Sequence, residues 1–409
     1  VEFHLHSAMS TMDAVTPVGD YIALAAKWGH PAIAVTDHAN VQAFPEAYKA
    51  AKKHKIKVIY GVEANIVNDA VPIVYRPDDR PLAEAEFVVF DIETTGLSVT
   101  NHKIIEIAAV RMAKGKEIDR FSTFVNPHEP IPYAITQLTS ITDEMVRDAP
   151  DIDPVIREFK RFVGDAVLVA HNAQFDIGFV QHALKQAGEE PLPNPVLDTL
   201  ELARLLHPTL KNHRLNTLTE LYKVRLEHHH RAIDDTLALG EVLFHLLKDA
   251  EGKNIRRLSD FNRFVGQDLR NVRPFHACIY ARNQTGKKNL FKLISLSHTD
   301  YFHRVACIPR SKLIEYREGL IVSSGCEKGE LYETVLNKSL EEAEEVAAFY
   351  DVLEVQPVEI NLHLVDKGVV TREQLIEANR RVVAIGEKLG KPVIATGNAH
   401  YLHPRDKIY

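Results

Sequence analysis

The chain has 409 residues, 45% of them hydrophobic, so it can bury sizeable cores and is too long for one comfortable core. Its net charge of −7 gives no general support for nucleic-acid binding, although a site that holds cations can still grip phosphates locally. Three widely spaced cysteines, no apolar run of ~18 residues and no charged-then-apolar leader lead us to expect a cytoplasmic protein without a disulfide framework or a membrane partner.

The first 80 residues alternate predicted strands with predicted helices. The strands are Val1–His6, Pro31–Thr36 and Ile56–Glu63, and the helices run from Thr16-Pro17 to Gly29 and from Phe44 to His54. A cap residue followed by proline marks the first helix start, and a glycine marks its stop. Repeated strand–helix units predict a parallel sheet. Because the chain opens on Val1 inside a predicted strand, we expect a fragment of a longer protein.

A polar, proline-rich connector at Tyr75–Pro81 interrupts this alternation and predicts a domain boundary. The pattern then changes to a strand, a hairpin around the letters AKGK, a further strand and helices. The strands are Glu86–Thr94, Lys103–Met112, Glu117–Val125 and Ala166–Ala170, and the last helix is the amphipathic Ala232–Leu247. The segment DAEGKN then predicts the end of this second domain.

From about His276 the first pattern returns, with helices between the strands, the clearest being Arg372–Leu389. The predicted strands are His276–Ala281, Leu320–Ser323, Asp351–Val355 and Pro392–Thr396. The simplest account is an α/β chain in which one strand–helix barrel, residues 1–80 and 256–409, is interrupted by a guest domain at residues 81–255.

Four carboxylates and a histidine mark a candidate site in the guest domain. Asp91 and Glu93 lie two apart on one predicted strand and therefore point to the same face. A carboxylate pair in a buried strand is costly unless a cation compensates it, and Mg²⁺ prefers carboxylate oxygens plus substrate phosphate. Asp176 lies a few residues into the helix after the next strand, and the letters HHHRAIDD supply His230 and Asp235. This set suits two-metal phosphodiester hydrolysis, with the histidine taking a proton from the attacking water.

The segments DIETTG, HNAQFD and HRAIDD resemble the three exonuclease motifs of the DEDD superfamily, His-type branch, which includes proofreading subunits of replicative polymerases. LTSITDEMV and LDTLELARLL resemble its connecting segments, and the likeness runs from Glu84 to about Leu247. The resemblance implies a ribonuclease-H-like fold and 3′→5′ removal of nucleotides from DNA. It implies two Mg²⁺ or Mn²⁺ ions, a general base at His230, and the metal ligands Asp91, Glu93, Asp176 and Asp235.

The substrate of such a site is a single-stranded or frayed primer 3′ end. Base stacking and phosphate contacts hold such an end with little sequence preference, and Asn172 and Phe175 are the candidates for these contacts. Asp198 also matches a family position, and we interpret it as structural support.

A second set of candidate ligands lies in the outer halves of the chain. Most follow the carboxyl ends of predicted strands, the face that carries the active site of a strand–helix barrel. The set is His4, His6, Asp13, His38, Glu63, His276, Cys326, Asn398 and His400. Imidazole, carboxylate and thiolate ligands together suit Zn²⁺ or a mixture of transition metals.

The segments HLHSAMSTMD, VTDH, GVE, ARNQTGKKNLFKLIS, SGC and ATGNAHYL resemble the PHP (polymerase and histidinol phosphatase) domain, a distorted seven-stranded barrel with a metal cluster. The nine residues above match the ligand positions of that family. Many members have an aspartate where this chain has Asn398, and because a neutral amide is a poorer ligand, we expect one metal to be weak or absent. A metal-stabilised structural module is therefore favoured over an active phosphoesterase, and both interpretations stay open.

A PHP domain interrupted by a DEDD exonuclease between Glu63 and His276 resembles a class of bacterial replicative DNA polymerase over essentially all 409 residues. The resemblance implies a proofreading role. It implies as partners DNA, the remaining polymerase domains and a replisome with a sliding clamp. Palm, fingers and thumb are absent from this sequence, so we do not expect the chain alone to polymerise.

Overall fold

The computed structural model describes residues 1–225, 232–265, 272–403 and 405–406. The chain divides into two compact units, which we call the barrel unit (Val1–Asp69 and Val272–Tyr409) and the inserted unit (Ala70–Asn271). None of the described helices combines the length and the apolarity that a membrane crossing requires. Each unit contains both helices and strands, as an α/β protein does.

The first segment of the barrel unit alternates helix and strand. Its elements are α1 (Val18–Lys27), β1 (Ala32–Val35), α2 (Phe44–His54) and β2 (Lys57–Val67). The helix predicted for residues 44–54 is confirmed, and it ends at Lys55, whose φ of 53° is left-handed. β1 and β2 pair in parallel, as predicted for a strand–helix–strand unit.

The inserted unit is a six-stranded sheet with helices on both faces. Its elements are β3 (Val74–Tyr75), β4 (Glu86–Thr94), β5 (Ile104–Ala113), β6 (Lys116–Phe124), α3 (Tyr133–Thr139), α4 (Asp143–Val146), α5 (Ile152–Val163), β7 (Val167–Ala170), α6 (Ala173–Gln186), β8 (Val196–Asp198), α7 (Thr199–Leu206), α8 (Leu215–Tyr222) and α9 (Ala232–Glu251). A 3₁₀ helix, Leu258–Phe264, follows. The strand order is β3-β8-β7-β4-β5-β6, and the neighbours that pair in parallel are β4 with β7 and β7 with β8.

The alternation of side chains along β4 separates two cores. Val88 and Phe90 pack against α5 and α6 on one face, whereas Phe87 and Val89 pack against α7, α8 and α9 on the other. The hairpin between β5 and β6 turns through two residues of positive φ, Lys114 and Gly115, the geometry that matches the twist of adjacent strands. The strand predicted for residues 86–94 is confirmed.

The limits of the inserted unit differ from the expected cuts after residues 80 and 255. Leu82 donates from its backbone to the carbonyl of Arg256 at 2.9 Å, and Leu258 donates to the carbonyl of Arg80 at 3.3 Å. Val74 pairs with Leu197 in β8. The segments entering and leaving the unit are thus tied to it and to each other, which moves the divisions to 69/70 and 271/272.

The second segment of the barrel unit adds the remaining elements. They are β9 (Phe275–Ala281), α10 (Gln284–Thr299), β10 (Phe302–His303), β11 (Val305–Pro309), α11 (Arg310–Glu315), β12 (Leu320–Ser323), α12 (Glu330–Asn337), α13 (Leu340–Ala348), β13 (Leu353–Val355), α14 (Leu362–Asp366), α15 (Arg372–Leu389) and β14 (Val393–Ala395). A 3₁₀ helix, Val358–Asn361, precedes α14. The strand at residues 320–323 and the helix at residues 372–389 were predicted correctly.

Backbone hydrogen bonds close the barrel unit into a ring of seven described segments. The order is the N-terminal segment, β1, β2, β9, β12, β13 and β14 with the residues that follow it. Leu5 closes the ring, since it accepts from the Thr36 amide after β1 and bridges in parallel to Ala399 beyond β14. The N-terminal segment forms only this bridge rather than the predicted strand at residues 1–6.

The expectation of an all-parallel sheet in the outer halves was wrong. β9 runs antiparallel to both β2 and β12. Ile66 at the end of β2 lies beside Phe275 at the start of β9, because the chain leaves β2 and returns to β9 at the same edge. An antiparallel neighbour needs no crossover helix, so strands and helices do not alternate at this position as they do in a strand–helix–strand unit.

Candidate metal centres

Three carboxylates meet at one edge of the inserted unit. Asp91 and Glu93 continue the face of β4 that α9 covers, and Asp235 lies in the first turn of α9. Their carboxylate oxygens lie within 4.8 Å of one another. The edge is the carboxyl end of β4, which runs parallel to β7 and β8. Ligand sites of open α/β sheets lie outside such edges.

Asp176 approaches the same strand from α6. Its Oδ1 accepts a hydrogen bond from the Ile92 amide at 3.3 Å, between the two carboxylates of β4. Burial raises the pKa of Asp176 to about 8. Burial and the carboxylates of Asp176, Glu93 and Asp235 raise the pKa of Asp91 well above its usual range. Without a cation, the site would therefore hold protons near neutral pH.

Asp198 fixes the turn that places Asp176. Its two carboxylate oxygens accept from the amides of Asn172, Ala173 and Leu200 at 3.1, 3.0 and 2.9 Å. These bonds secure the start of α6 at the end of β7, where Asn172 has a left-handed φ of 73°. They support the interpretation of Asp198 as a structural residue.

Glu106 is a fifth carboxylate at this edge that the sequence reasoning missed. It lies on β5 directly opposite Glu93, is 2% exposed, and its Oε2 accepts from the Ala232 amide at 3.2 Å. This bond ties the first residue of α9 to the sheet one turn before Asp235. A signal was available, because an acidic residue inside the apolar letters IIEIAAV is costly unless it has a partner.

The other predicted residues of this site have different placements. Asn172 is exposed at the start of α6, and Phe175 is half-buried, with its ring 5.1 Å from that of Phe179. His230 lies outside the described residues. At Gly96, just beyond β4, an added Cβ would lie 2.5 Å from the ring of His102, so that ring would have to shift.

Glu63 is the centre of the cluster in the barrel unit, and four predicted histidines surround it. Its Oε1 lies 2.7 Å from His276 Nδ1 and 3.2 Å from His4 Nε2, and its Oε2 lies 2.5 Å from His38 Nδ1 and 3.7 Å from His6 Nε2. Burial alone would raise the pKa of Glu63, but the neighbouring imidazoles of His276, His38 and His4 hold it well below its usual range. The carboxylate is therefore ionised.

The outer part of this cluster is more exposed. Asp13 contacts the Nε2 of His38, and its Oδ2 lies 3.1 Å from the Nε2 of His400. The rings of His38 and His400 both stack on His6, with centroids 4.1 and 4.2 Å away. Burial lowers the pKa of His6 well below its usual range, so this imidazole stays neutral, the form that binds metals.

Cys326 and Asn398 complete the predicted set. The Sγ of Cys326 lies 3.4 Å from Glu63 Oε1 and 3.5 Å from His276 Nδ1. Asn398 has a left-handed φ of 44°, and its backbone oxygen accepts from His400 Nδ1 at 2.8 Å. Its side-chain oxygen is buried and has no hydrogen-bond partner among the described residues. The nine residues thus fall in one region around Glu63.

Three further buried groups lie near this cluster, and two of them, Glu354 and Cys278, were missed from the sequence. Glu354 Oε1 lies 2.6 Å from His4 Nδ1, and Cys278 forms a further potential ligand group with these two residues. Asp37 accepts from the hydroxyls of Ser7 and Ser10. Asp37 stands in the quoted letters VTDH, whereas Glu354 lies in the unremarkable strand LEV and gave no motif.

Comparison with protein families identifies the class of the inserted unit. Residues 88–243 match the family model for exonucleases of the RNase T type, described as "Exonuclease". The match lies wholly inside the inserted unit and includes Asp91, Glu93, Asp176 and Asp235. The inserted unit is therefore an exonuclease domain, and the chain is an enzyme.

Over its whole length the chain is similar to DNA polymerase III of the PolC type. It is 53% identical to that protein of Halalkalibacterium halodurans over 411 residues and 54% identical to that of Bacillus subtilis over 413 residues. Both alignments cover 100% of this chain and 29% of the relative. The chain thus spans less than a third of the length of these curated relatives.

Solved structures also align with part of the chain. Exonuclease X in complex with 5′ overhanging duplex DNA aligns with 28% identity and a TM-score of 0.35, covering 43% of this chain and 99% of that one. E. coli exonuclease I in complex with a dA16 oligonucleotide aligns with 17% identity and a TM-score of 0.37, covering 44% and 43%. Because both TM-scores are below 0.5, we draw no conclusion about this chain from these two structures.

Proposed function

We propose that the inserted unit hydrolyses DNA from the 3′ end in a metal-dependent reaction, as the proofreading module of a bacterial replicative polymerase. The observation that carries the proposal is the convergence of Asp91, Glu93 and Asp235, with carboxylate oxygens within 4.8 Å at the carboxyl end of β4. The exonuclease match and the similarity to PolC-type polymerases support it.

The carboxylate set fits hard divalent cations. Like charges this close repel one another unless cations lie between them, and carboxylate oxygens are preferred by Mg²⁺ and Mn²⁺. We assign Asp91, Glu93, Asp176 and Asp235 as the residues that hold two such ions. Bound ions of this kind bracket a scissile phosphate, activate a water and stabilise the leaving oxygen.

The remaining roles concern protons and the DNA strand. We assign His230 as general base, since an imidazole with a pKa of about 6.5 can take the proton of the attacking water at neutral pH. The exposed Asn172 and the half-buried Phe175 are assigned to the terminal nucleotides, with the aromatic ring offering a surface on which any base stacks. The proposed partners are a frayed primer 3′ end, the rest of the polymerase and a replisome with a sliding clamp in the cytoplasm.

A primer labelled at its 5′ end and annealed to a template tests the polarity and the role. With Mg²⁺ the 409-residue chain should shorten the primer one nucleotide at a time, faster when the 3′-terminal pair is mismatched. Asp91→Asn and His230→Gln should slow the ladder by at least about 100-fold, whereas Asp153→Asn, an exposed acid on α5, should leave it unchanged. Internal cuts, removal from the 5′ end or full activity of Asp91→Asn would contradict the proposal.

For the barrel unit we propose a scaffold stabilised by Zn²⁺ or another transition metal. The supporting observation is that the Nε2 atoms of His4 and His6 are buried beside Glu63 without hydrogen-bond partners among the described residues. Asn398 in place of an acidic ligand favours this role over a phosphoesterase. Phosphodiester hydrolysis that persists in an Asp91→Asn/Asp235→Asn double variant and disappears with His4→Ala would favour the phosphoesterase instead.

A further inference from the structure

In the barrel unit, each buried imidazole turns one ring nitrogen toward the cluster around Glu63. The hydrogen-bond partner of the other ring nitrogen determines whether that inward nitrogen carries a proton. A neutral imidazole carries one proton, so a ring that donates from Nδ1 presents a bare lone pair at Nε2. The position of the ring proton follows from the hydrogen-bond partner of Nδ1. In three of these histidines that partner can only accept a hydrogen bond, so the proton must lie on Nδ1. This property separates the ligand atoms from the groups that orient them.

His4 is held by Glu354. The distance between His4 Nδ1 and Glu354 Oε1 is 2.6 Å, and both side chains are fully buried. The carboxylate of Glu354 also accepts from the hydroxyls of Thr396 at 2.6 Å and Ser323 at 3.1 Å. Since a carboxylate has no proton to give, His4 donates from Nδ1 and its Nε2 faces Glu63 at 3.2 Å.

His6 is held by a relay through Ser10. The Ser10 hydroxyl donates its one proton to Asp37 at 2.7 Å and accepts from the His38 amide at 3.1 Å. The hydroxyl therefore has only an acceptor position left for His6 Nδ1, which lies 3.2 Å away. His6 donates from Nδ1, and its Nε2 faces Glu63 Oε2 at 3.7 Å.

His400 is held by the main chain. Its Nδ1 donates to the Asn398 carbonyl at 2.8 Å, and its Nε2 lies 3.1 Å from Asp13 Oδ2. Three imidazoles thus turn bare Nε2 atoms toward carboxylate oxygens. Lone pairs facing anions at these distances repel unless a proton or a metal cation lies between them.

We infer that Glu354 is a positioning residue of the barrel metal centre, which fixes the Nδ1–H tautomer of His4 and aims Nε2 at the metal shared with Glu63. The Ser10–Asp37 pair does the same for His6, and the Asn398 backbone carbonyl does it for His400. This inference rests on the proposed metal-binding role of the barrel unit. Carboxylates that hold the far nitrogen of a ligating histidine set its ring orientation and raise its basicity.

A competing interpretation makes His4, Cys278 and Glu354 a separate metal site, because their potential ligand atoms also lie within 4.8 Å of one another. The hydrogen bonds of Glu354 argue against it. Both of its oxygens already accept from hydroxyls or from His4, and Gln356 Nε2 lies 3.3 Å from Oε1. A carboxylate so occupied is placed to orient a histidine.

The test measures Zn²⁺ binding to the 409-residue chain by competition with a chelator. Glu354→Ala should weaken Zn²⁺ affinity about 10- to 100-fold, the loss typical of removing an orienting partner, and Glu354→Gln, which keeps an acceptor, should lose less. Cys278→Ala should keep its affinity within about threefold. Glu330→Ala is the matched control, since this glutamate of the same unit contacts Arg310 and Tyr350 rather than a histidine.

A second measurement does not depend on metal. In the metal-free chain, at a pH high enough to keep the His4 ring neutral, ¹⁵N NMR of that ring should report the Nδ1–H form, and Glu354→Gln should shift the population toward Nε2–H. If wild-type chain binds no Zn²⁺ but His4 keeps the Nδ1–H form, the metal proposal fails while the orienting role stands. Unchanged affinity and unchanged tautomer in Glu354→Gln would overturn the inference, as would abolished binding in Cys278→Ala. Should Glu354→Ala fail to fold, Glu354→Gln decides.

Discussion

Each unit buries carboxylates at its candidate metal centre, but the two centres differ in what lies next to the negative charge. The candidate site of the inserted unit is built almost entirely of carboxylates, and burial raises the pKa of Asp176 to about 8. The barrel cluster surrounds one carboxylate, Glu63, with imidazoles that hold its pKa well below the usual range. A site of carboxylates alone depends on added cations and suits ions that arrive with a phosphate, whereas an imidazole cage suits a resident transition metal.

Removing one carboxylate of the exonuclease site should have the largest effect. Asp91→Asn should lower the rate of 3′-end removal about 100- to 1,000-fold, as expected for the loss of one electrostatic stabiliser in a closed site. The melting temperature of the barrel unit should not change, because Asp91 belongs to the inserted unit. A rate within threefold of wild type would show that the carboxylate cluster is not the site of chemistry.

The pH dependence should distinguish the two units by sign. Metal ions must displace protons from Asp91 and Asp176, so the Mn²⁺ affinity of the carboxylate site should rise about tenfold per pH unit for each proton released. The part that comes from Asp176 should level off above about pH 8. In the metal-free chain, Asp91 and Asp176 have higher pKa values in the folded state than in the unfolded state. They therefore contribute folding stability at low pH, and this contribution is lost as the pH rises through the folded-state pKa values. Glu63 has a lowered pKa, so its pH effect on stability has the opposite sign. Its contribution to folding stability is lost as the pH falls.

Calorimetric Mn²⁺ titration at pH 6, 7 and 8, on a His4→Ala background that removes a ligand of the barrel cluster, measures this dependence. An affinity that does not vary between pH 6 and pH 8 would contradict the raised pKa values. Melting curves in chelator at the same pH values give the sign for the inserted unit, and curves below the ordinary carboxylate pKa of 4.5 give it for the barrel unit.

Glu106 offers a smaller and more specific test of the carboxylate edge. Glu106→Ala removes the acceptor for the Ala232 amide and should loosen the start of α9, where Asp235 lies. We expect the Mn²⁺ concentration for half-maximal nuclease activity to rise about tenfold, within the range for groups that support a metal ligand. Glu86→Ala on the neighbouring β4, whose partner is Arg111, is the control and should leave this concentration unchanged.

Removing metal from the barrel unit should have the smallest effect on the enzyme. A metal held at about a hundred times its dissociation constant contributes about 2.7 kcal/mol, which corresponds to a melting shift of about 5–10 °C for a unit of this size. A Zn²⁺ chelator that does not bind Mg²⁺ should cause this shift and leave the exonuclease rate unchanged. Loss of the exonuclease rate with the metal would instead show that the barrel centre takes part in the reaction.

Sequence periodicity predicted the long regular elements well and the short ones poorly. The strand at residues 86–94 and the helices at 44–54 and 372–389 agree with the structure, because each has its own caps or apolar pattern. The predicted strand at residues 1–6 reduces to a bridge at Leu5, since its pairing depends on Ala399 at the far end of the chain. The direction of β9 was missed because a local pattern carries no information about its neighbours.

The proposed ligand residues could be predicted from the sequence itself. Asp91 and Glu93 were predicted because carboxylates two apart on a strand share a face, and the nine barrel residues from their places near strand ends and from the family resemblance. Tertiary structure decided which groups support them. Glu106 and Ala232 are 126 positions apart in the sequence, and His4 and Glu354 are 350 positions apart, so each pair meets only in the folded chain. A buried carboxylate costs too much to stand alone, yet its partner is chosen by the packing of distant strands, so no local motif records the pair.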